Sequence, residues 1–396
     1  MVKTRKRAVE FFGLTPEIVA VSAAMFLMGL GENLWRRFLP KYLESLGAPI
    51  AGIGLFGSTE DLLDGVYQYP GGWVADRYGR RVALVFFVSL AAVGYALFAV
   101  LRAWWLAFVA LALIMAWDSM ASPTLFAVVG DALPREKRTM GFTVQSILRR
   151  LPIVVAPTLG GIAIAGLGLR SGMRLSLGVS ILLAMVTLAA AWRIRIPVVA
   201  DESPVTVTHV WRSFPQQLRT LLLSDIFIRT CDAMVDVFLV LFAVNIIGIS
   251  APRFGILVAV QAATAMAVYI PAAGIAERVG KKPFVTATFV AFALFPLAVV
   301  WARSFSWLVL AFVVGGLREI GEPARKALII DLAKPSLRAR SVGLYYLGRS
   351  LAIAPAAFIG GFLWRFSPKL PFYVAAAIGF VGVSLFIATV DARHAG

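Results

Sequence analysis

Apolar residues in this chain fall in long runs rather than in the alternation of a strand or the stripe of a surface helix. Twelve such runs can be read, at 17–40, 50–74, 82–101, 104–129, 139–166, 171–193, 218–246, 252–276, 283–302, 305–331, 338–365 and 369–391. A helix rises about 1.5 Å per residue, so roughly 20 mostly apolar residues cross a hydrocarbon core about 30 Å thick. Each run therefore predicts one transmembrane helix. In a bilayer every backbone polar group needs an internal partner, which helices provide within themselves. The expected fold is an all-α integral membrane protein of twelve transmembrane helices.

The polar positions between the runs repeat. Pro70-Gly71-Gly72-Trp73-Val74-Ala75-Asp76-Arg77-Tyr78-Gly79-Arg80-Arg81 matches 271–282, Pro271 to Lys282, at an offset of 201. At an offset of 200, Pro123 matches Pro323, Asp131 matches Asp331, Arg149 matches Arg349, and Glu32 matches Asp232. A near-constant offset across several helices marks an internal duplication, a common way to build a transporter. It predicts two pseudo-symmetric six-helix bundles, 1–193 and 218–396, joined by a polar linker at 194–217.

Composition narrows the class. The chain has 396 residues, 60% hydrophobic and 15% charged, with a mean hydropathy of +0.84. A soluble domain carries about 25% charged residues, so a large soluble enzyme is excluded. The net charge of +17 raises nucleic acid as a partner, but the basic residues sit in short clusters between apolar runs. With both termini inside, 21 Lys and Arg face the cytoplasm against eight outside, the asymmetry of the positive-inside rule. A multi-pass protein of the cell inner membrane with cytoplasmic termini is expected, without nucleic acid. One cysteine and two histidines leave no basis for a disulfide framework or a metal site, and no cofactor is expected.

The charges inside the runs carry the functional reading. An ionisable residue within a span usually faces a cavity or a partner. The third, sixth, ninth and twelfth runs have charge-free interiors, whereas the first, second, fourth, fifth, seventh, tenth and eleventh carry charges and the eighth carries Gln261. A polar cavity lined by the charged set, with every third helix outside it, accounts for this. Arg149, Arg349, Glu60, Asp61 and Arg229 lie roughly 15–18 Å from their helix starts, near mid-membrane. Arg149 and Arg349, with Arg36, Arg229 and Arg318, are candidate substrate contacts. Glu32, Glu60, Asp61, Asp64, Asp232 and Glu322 are candidate proton carriers. Three acids at 60, 61 and 64 repel one another, which favours a retained proton. Blander alternatives stand beside these. Arg229 with Asp225 or Asp232, and Arg318 with Glu322, have the spacing of intrahelical ion pairs. Arg36 and Asp236, at symmetric positions, could form a gate or an interfacial pair.

The segment Gly72-Trp73-Val74-Ala75-Asp76-Arg77-Tyr78-Gly79-Arg80-Arg81 resembles the signature loop of the major facilitator superfamily, and 273–282 resembles its second copy. Gly130-Asp131 with Pro134, Glu136, Arg138 and Gly141 resembles the loop that follows the family's fourth helix. The resemblance spans the chain and implies the twelve-helix, alternating-access fold. It implies that Gly72, Asp76, Arg77, Gly79, Arg80 and Arg81 gate the cytoplasmic side rather than bind substrate. In two places the sequence departs from the family. The fourth run carries Asp118 and no basic residue, and the fifth-helix antiporter pattern survives only at Ala156-Pro157 and Gly160-Gly161.

The leading expectation is a secondary active transporter, monomeric and proton-coupled, that moves a small polar or charged solute. Proton-driven multidrug efflux is the alternative, and a sensor or enzyme on the same fold is a third class. No nucleophile–base pair or phosphate loop supports the enzyme reading.

Overall fold

The structure is a computed structural model that describes residues 16–120, 135–191, 207–333 and 338–389, and among these every regular element is helical. The α-helices are α1 (Pro16–Asn33), α2 (Leu39–Ser45), α3 (Ile50–Tyr78), α4 (Arg80–Ala99), α5 (Ala107–Met115), α6 (Arg135–Leu167), α7 (Leu169–Ala191), α8 (Val207–Arg212) and α9 (Gln216–Asp236). They continue as α10 (Leu239–Leu241), α11 (Ala251–Val279), α12 (Lys281–Trp301), α13 (Phe305–Leu317), α14 (Glu322–Leu332), α15 (Arg338–Ile353), α16 (Ala356–Trp364) and α17 (Leu370–Thr389). Seven helical stretches within the described residues are long and apolar enough to cross a membrane: Arg81–Ala99, Arg150–Leu167, Leu169–Ala191, Ala251–Tyr269, Lys281–Trp301, Ser341–Trp364 and Leu370–Thr389. The protein is thus an all-α, multi-pass membrane protein.

The repeat appears in the backbone. α3 and α11 both have 29 residues and start 201 positions apart. Each is followed by one glycine and then a long helix. Gly79 has φ 86° and Gly280 φ 102°, a region costly for any residue with a Cβ. The signature glycines therefore let one helix end and the next begin without a loop.

Two interruptions matter for the site. α13 stops at Leu317 and α14 starts at Glu322. Pro323 occupies the first turn of α14, where its missing N–H costs nothing. The Gly321 N–H donates to Thr288 Oγ1 at 2.6 Å, so the buried donor freed at the break has a partner. A second break separates α15 from α16 at Pro355.

Contacts divide the chain into two compact units, Met1–Tyr42 with Val66–Glu202, and Leu43–Gly65 with Ser203–Gly396. In the first, α1 packs against α6 and α7, and α4 against α5 and α7. A Cβ on Gly31 would meet the Ser180 Cα at 2.9 Å, so glycine lets α1 and α7 approach closely. Ser180 Oγ donates to Gly31 O at 2.7 Å and accepts from Trp35 Nε1 at 3.1 Å.

In the second unit α9 and α12 pack against α17, and α11 against α13. The first half of α3 belongs here. Ser58 Oγ accepts the Phe358 N–H at 2.9 Å, an orphan donor at the start of α16. A Cβ on Gly57 would come within 2.6 Å of Val237. The polar stretch 194–217 is not all plain linker. Val210 and Phe214 are buried in the apolar core formed with α9, α12 and α15, which anchors α8.

Candidate functional site

The second unit buries an unusual density of charge. Asp225 is wholly buried, Arg325 is 2% exposed and Glu322 5%. Unpaired, each would cost several kcal/mol, so geometry has to repay desolvation. Arg325 does much of this. Its Nη1 donates to Asp225 Oδ2 at 2.6 Å, its Nη2 to Glu322 Oε2 at 2.8 Å, and its Nε to Glu322 Oε1 at 3.2 Å. The fork-on-carboxylate arrangement with Glu322 is the strong form of such a bond.

Two further arginines join from neighbouring helices. Arg229, on α9, donates through Nη2 to Glu322 Oε1, and its Nε lies 3.8 Å from Asp225 Oδ1. Arg349, on α15, donates through Nη1 to Asp225 Oδ2 at 3.4 Å. The Tyr345 hydroxyl reaches the same oxygen at 3.1 Å. This bonded set holds three guanidiniums and two carboxylates. Three of its buried atoms lack a hydrogen-bond partner: Asp225 Oδ1, Arg229 Nε and Arg349 Nε. Exposure separates the arginines by role. Arg325 is sealed, whereas the side chains of Arg229 and Arg349 are 20% and 15% exposed. Arg325 ties α14 to α9, and the other two arginines keep part of their guanidinium side chains accessible.

Arg318 forms a second pair, with Asp232, and donates through Nε to Gly315 O at 2.8 Å. The Phe292 ring centroid lies 4.7 Å from the Arg229 Cζ and 4.9 Å from that of Arg318, and the Phe295 ring 4.5 Å from Arg318. Such cation–π contacts favour a cation partly withdrawn from water.

This corrects the intrahelical pairing of Arg318 with Glu322. The break at 318–321 ends α13 before one more turn can bring them together, so Arg318 turns to Asp232 and Glu322 to Arg229 and Arg325. For Arg229 the intrahelical pair with Asp225 is present at 3.8 Å, and Glu322 on α14 adds a closer partner.

The other expected residues divide as follows. Glu32, buried at 5% exposure, is bonded to Arg36. Glu60, Asp61 and Asp64 are partly exposed on α3, and Asp61 lies within electrostatic reach of Asp232 and Asp236. Arg77 is exposed, with its guanidinium 5.9 Å from the Tyr78 ring, and Arg81 is half-buried. The side chains of Arg149, Gly72, Asp76 and Arg80 lie outside the described residues. In the second copy of the signature loop, Lys281 is bonded to Asp331, which ties the start of α12 to the end of α14. Among the described residues no cluster could hold a metal ion.

Sequence reasoning missed Arg325 and Tyr345. Arg325 stands beside Lys326 and reads as part of a basic helix end. Its spacing of three from Glu322 was the available signal.

The sequence profile described as Major Facilitator Superfamily matches residues 21–231 and 221–395. An uncharacterised MFS-type transporter of Methanocaldococcus jannaschii is 20% identical over 94% of this chain and 95% of its own length. The quinolone resistance protein NorA of Staphylococcus aureus is 26% identical over 36% of this chain and 37% of its own. Among solved structures, the nucleoside transporter NupG superposes with a TM-score of 0.80 at 14% identity, covering 94% of this chain and all of that one. A peptide transporter POT gives 0.77 at 17% identity, covering 94% and 93%, and the human organic anion transporter MFSD10 gives 0.68 at 17%, covering 94% and 99%. These structures share the fold. With two profile matches that together span nearly all of its length, the chain belongs to the major facilitator superfamily, and it is a membrane transporter rather than an enzyme.

Proposed function

We propose that this transporter carries a small anionic solute by alternating access, with protons as the coupling ion. The observation that supports it is the charge imbalance of the bonded set, three guanidiniums to two carboxylates, with Arg229 and Arg349 partly exposed. A surplus cation in a low-dielectric interior is costly, and an anionic solute at Arg349 relieves it. Arg149, the repeat partner of Arg349, is the second proposed contact, and Arg36 and Arg318 are further candidates. Glu60, Asp61 and Asp64, with Glu32, Asp232 and Glu322 as paired members, are the proposed proton carriers. The arrangement is twelve spans in two bundles, 1–193 and 218–396, working as a monomer in the cell inner membrane with both termini cytoplasmic. Gly72, Asp76, Arg77, Gly79, Arg80 and Arg81 gate its cytoplasmic side.

Multidrug efflux is the second reading. The partial likeness to NorA favours it, as do Phe292 and Phe295 beside the arginines. A drug cation would be repelled by the surplus guanidinium, which ranks this reading lower.

A thermal-shift screen of the purified protein separates the two, since a ligand that binds the native state raises its melting temperature. Carboxylate- or phosphate-bearing metabolites should stabilise it and lipophilic cations should not; the reverse would favour efflux. The hit is then reconstituted in proteoliposomes. Flux should respond to an imposed pH gradient, and indifference to that gradient would end the proton-coupling proposal.

A further inference from the structure

A cavity of about 410 Å³ opens in the second unit at the end of α12 farthest from Lys281. Its walls include Phe242 and Ile246, Trp301 and Arg303 just past α12, and Lys369 and Tyr373 at the start of α17. Arg303 and Lys369 are its only charged lining residues, both are exposed, and neither makes an ion pair among the described residues. Two cations facing one concavity without a carboxylate are matched to an anion.

The surroundings identify the kind of anion. Trp301 and Tyr373 are 63% and 42% exposed. Trp307 and Phe366, at the same end of the unit, are 62% and 71% exposed. Trp301, Trp307 and Tyr373 are the amphipathic aromatics that mark the membrane–water boundary, which places Arg303 and Lys369 at headgroup depth. Below them, Leu294 lies seven residues before Trp301 on α12, and Phe380 seven after Tyr373 on α17. Seven residues are about two helical turns, so each pair shares a face. Leu294 and Phe380 are 41% and 40% exposed, and α12 and α17 pack side by side. An apolar stripe therefore runs down both helices from beneath the cavity.

We infer that this cavity binds the phosphate of an anionic phospholipid, with its acyl chains lying along the stripe. Arg303 and Lys369 take the phosphate oxygens, and the Tyr373 hydroxyl and Trp301 indole donate at the rim. The first repeat closes off the equivalent chemistry. Tyr42, 200 positions before Phe242, lies within electrostatic reach of Arg174 and Arg170, so its hydroxyl faces those arginines within the protein. Where Tyr42 carries a hydroxyl, Phe242 carries none, and the cations of the second repeat are left for a ligand.

The test uses the full chain, stripped of lipid in detergent and reloaded with phosphatidylglycerol, phosphatidylcholine or inorganic phosphate. Retained lipid is read by native mass spectrometry, and melting temperature in parallel. Phosphatidylglycerol should be retained and raise the melting temperature more than phosphatidylcholine, with little effect from inorganic phosphate. The double variant Arg303→Gln/Lys369→Gln should weaken phosphatidylglycerol retention by about tenfold or more, the loss of charge-assisted contacts, while eluting as a folded protein. Arg365→Gln, an exposed cation outside the cavity, should leave retention intact. Wild-type retention in the double variant, or an equal loss in Arg365→Gln, would overturn the site. Equal stabilisation by inorganic phosphate would overturn the lipid as its source.

Discussion

The two repeats of this protein share a backbone plan but not a charge plan. At the offset of 200, Asp225 corresponds to Met25, Arg229 to Gly29, Glu322 to Ser122, Arg325 to Leu125 and Tyr345 to Gln145. Of the bonded set in the second unit, only Arg349 keeps its residue type, as Arg149. Where α9 carries its ionic stripe, α1 carries Gly29 against Pro152 and Gly31 against Ser180, a close neutral contact held by one hydroxyl. Among the described residues the first repeat buries less charge, with Glu32 paired to Arg36 at the end of α1. The second accepts the desolvation cost and so gains a rigid, cationic surface. Duplication supplies the frame, and substitution at a handful of helix-facing positions divides the work.

That contrast can be broken most severely at Arg325. Arg325→Met removes the most deeply buried partner of Asp225 and Glu322, leaving Asp225 to Arg349 and Tyr345 and Glu322 to Arg229, and losing one partner of a buried pair costs up to roughly 3–5 kcal/mol. Thermal unfolding in detergent should fall sharply or the protein should fail to accumulate. Asp225→Leu combined with Arg325→Met should recover part of the loss. If Arg325→Met melts like wild type, the brace does not exist. The next effect concerns the seam between α3 and α16. Gly57→Leu drives a side chain into Val237 and Ala357, and overpacking costs about 1–3 kcal/mol. Solute flux in proteoliposomes should drop more than stability does.

Smaller effects sharpen the comparison. Lys281→Ala removes a part-exposed pair with Asp331, worth about 1 kcal/mol or less. Melting temperature should barely move, whereas flux should change if the pair serves gating. Ser180→Ala, in the neutral repeat, leaves Trp35 Nε1 without its partner and should cost about 1 kcal/mol by the same thermal assay.

Much of the fold was legible because membrane helices announce themselves by length and apolarity. The glycines of the signature loop were equally clear, since Gly79 and Gly280 sit where few other residues could. The site was legible only in part. Charges within apolar runs stood out, so Arg229, Arg318, Asp232, Glu322 and Arg349 were named. Of their partners only Asp225 for Arg229 was legible, because the other pairings depend on breaks inside a run. Pro323 and Gly321 were visible, but that they turn Arg318 away from Glu322 follows from packing against Thr288 and Asp232. Arg325 was hidden by its neighbour Lys326, for a sequence does not reveal which of two adjacent cations faces inward.

The central claim is that the surplus guanidinium of the second unit receives an anion, and Arg349 tests it most directly. Once a stabilising anionic solute is found, its affinity for wild type and for Arg349→Gln is measured by titration calorimetry in detergent, with melting temperatures taken without ligand. The account predicts affinity weaker by about tenfold or more, equivalent to about 1.4 kcal/mol, with an unliganded melting temperature at or above that of wild type because the surplus charge is gone. Unchanged affinity, or a variant that unfolds for want of Arg349, would contradict it.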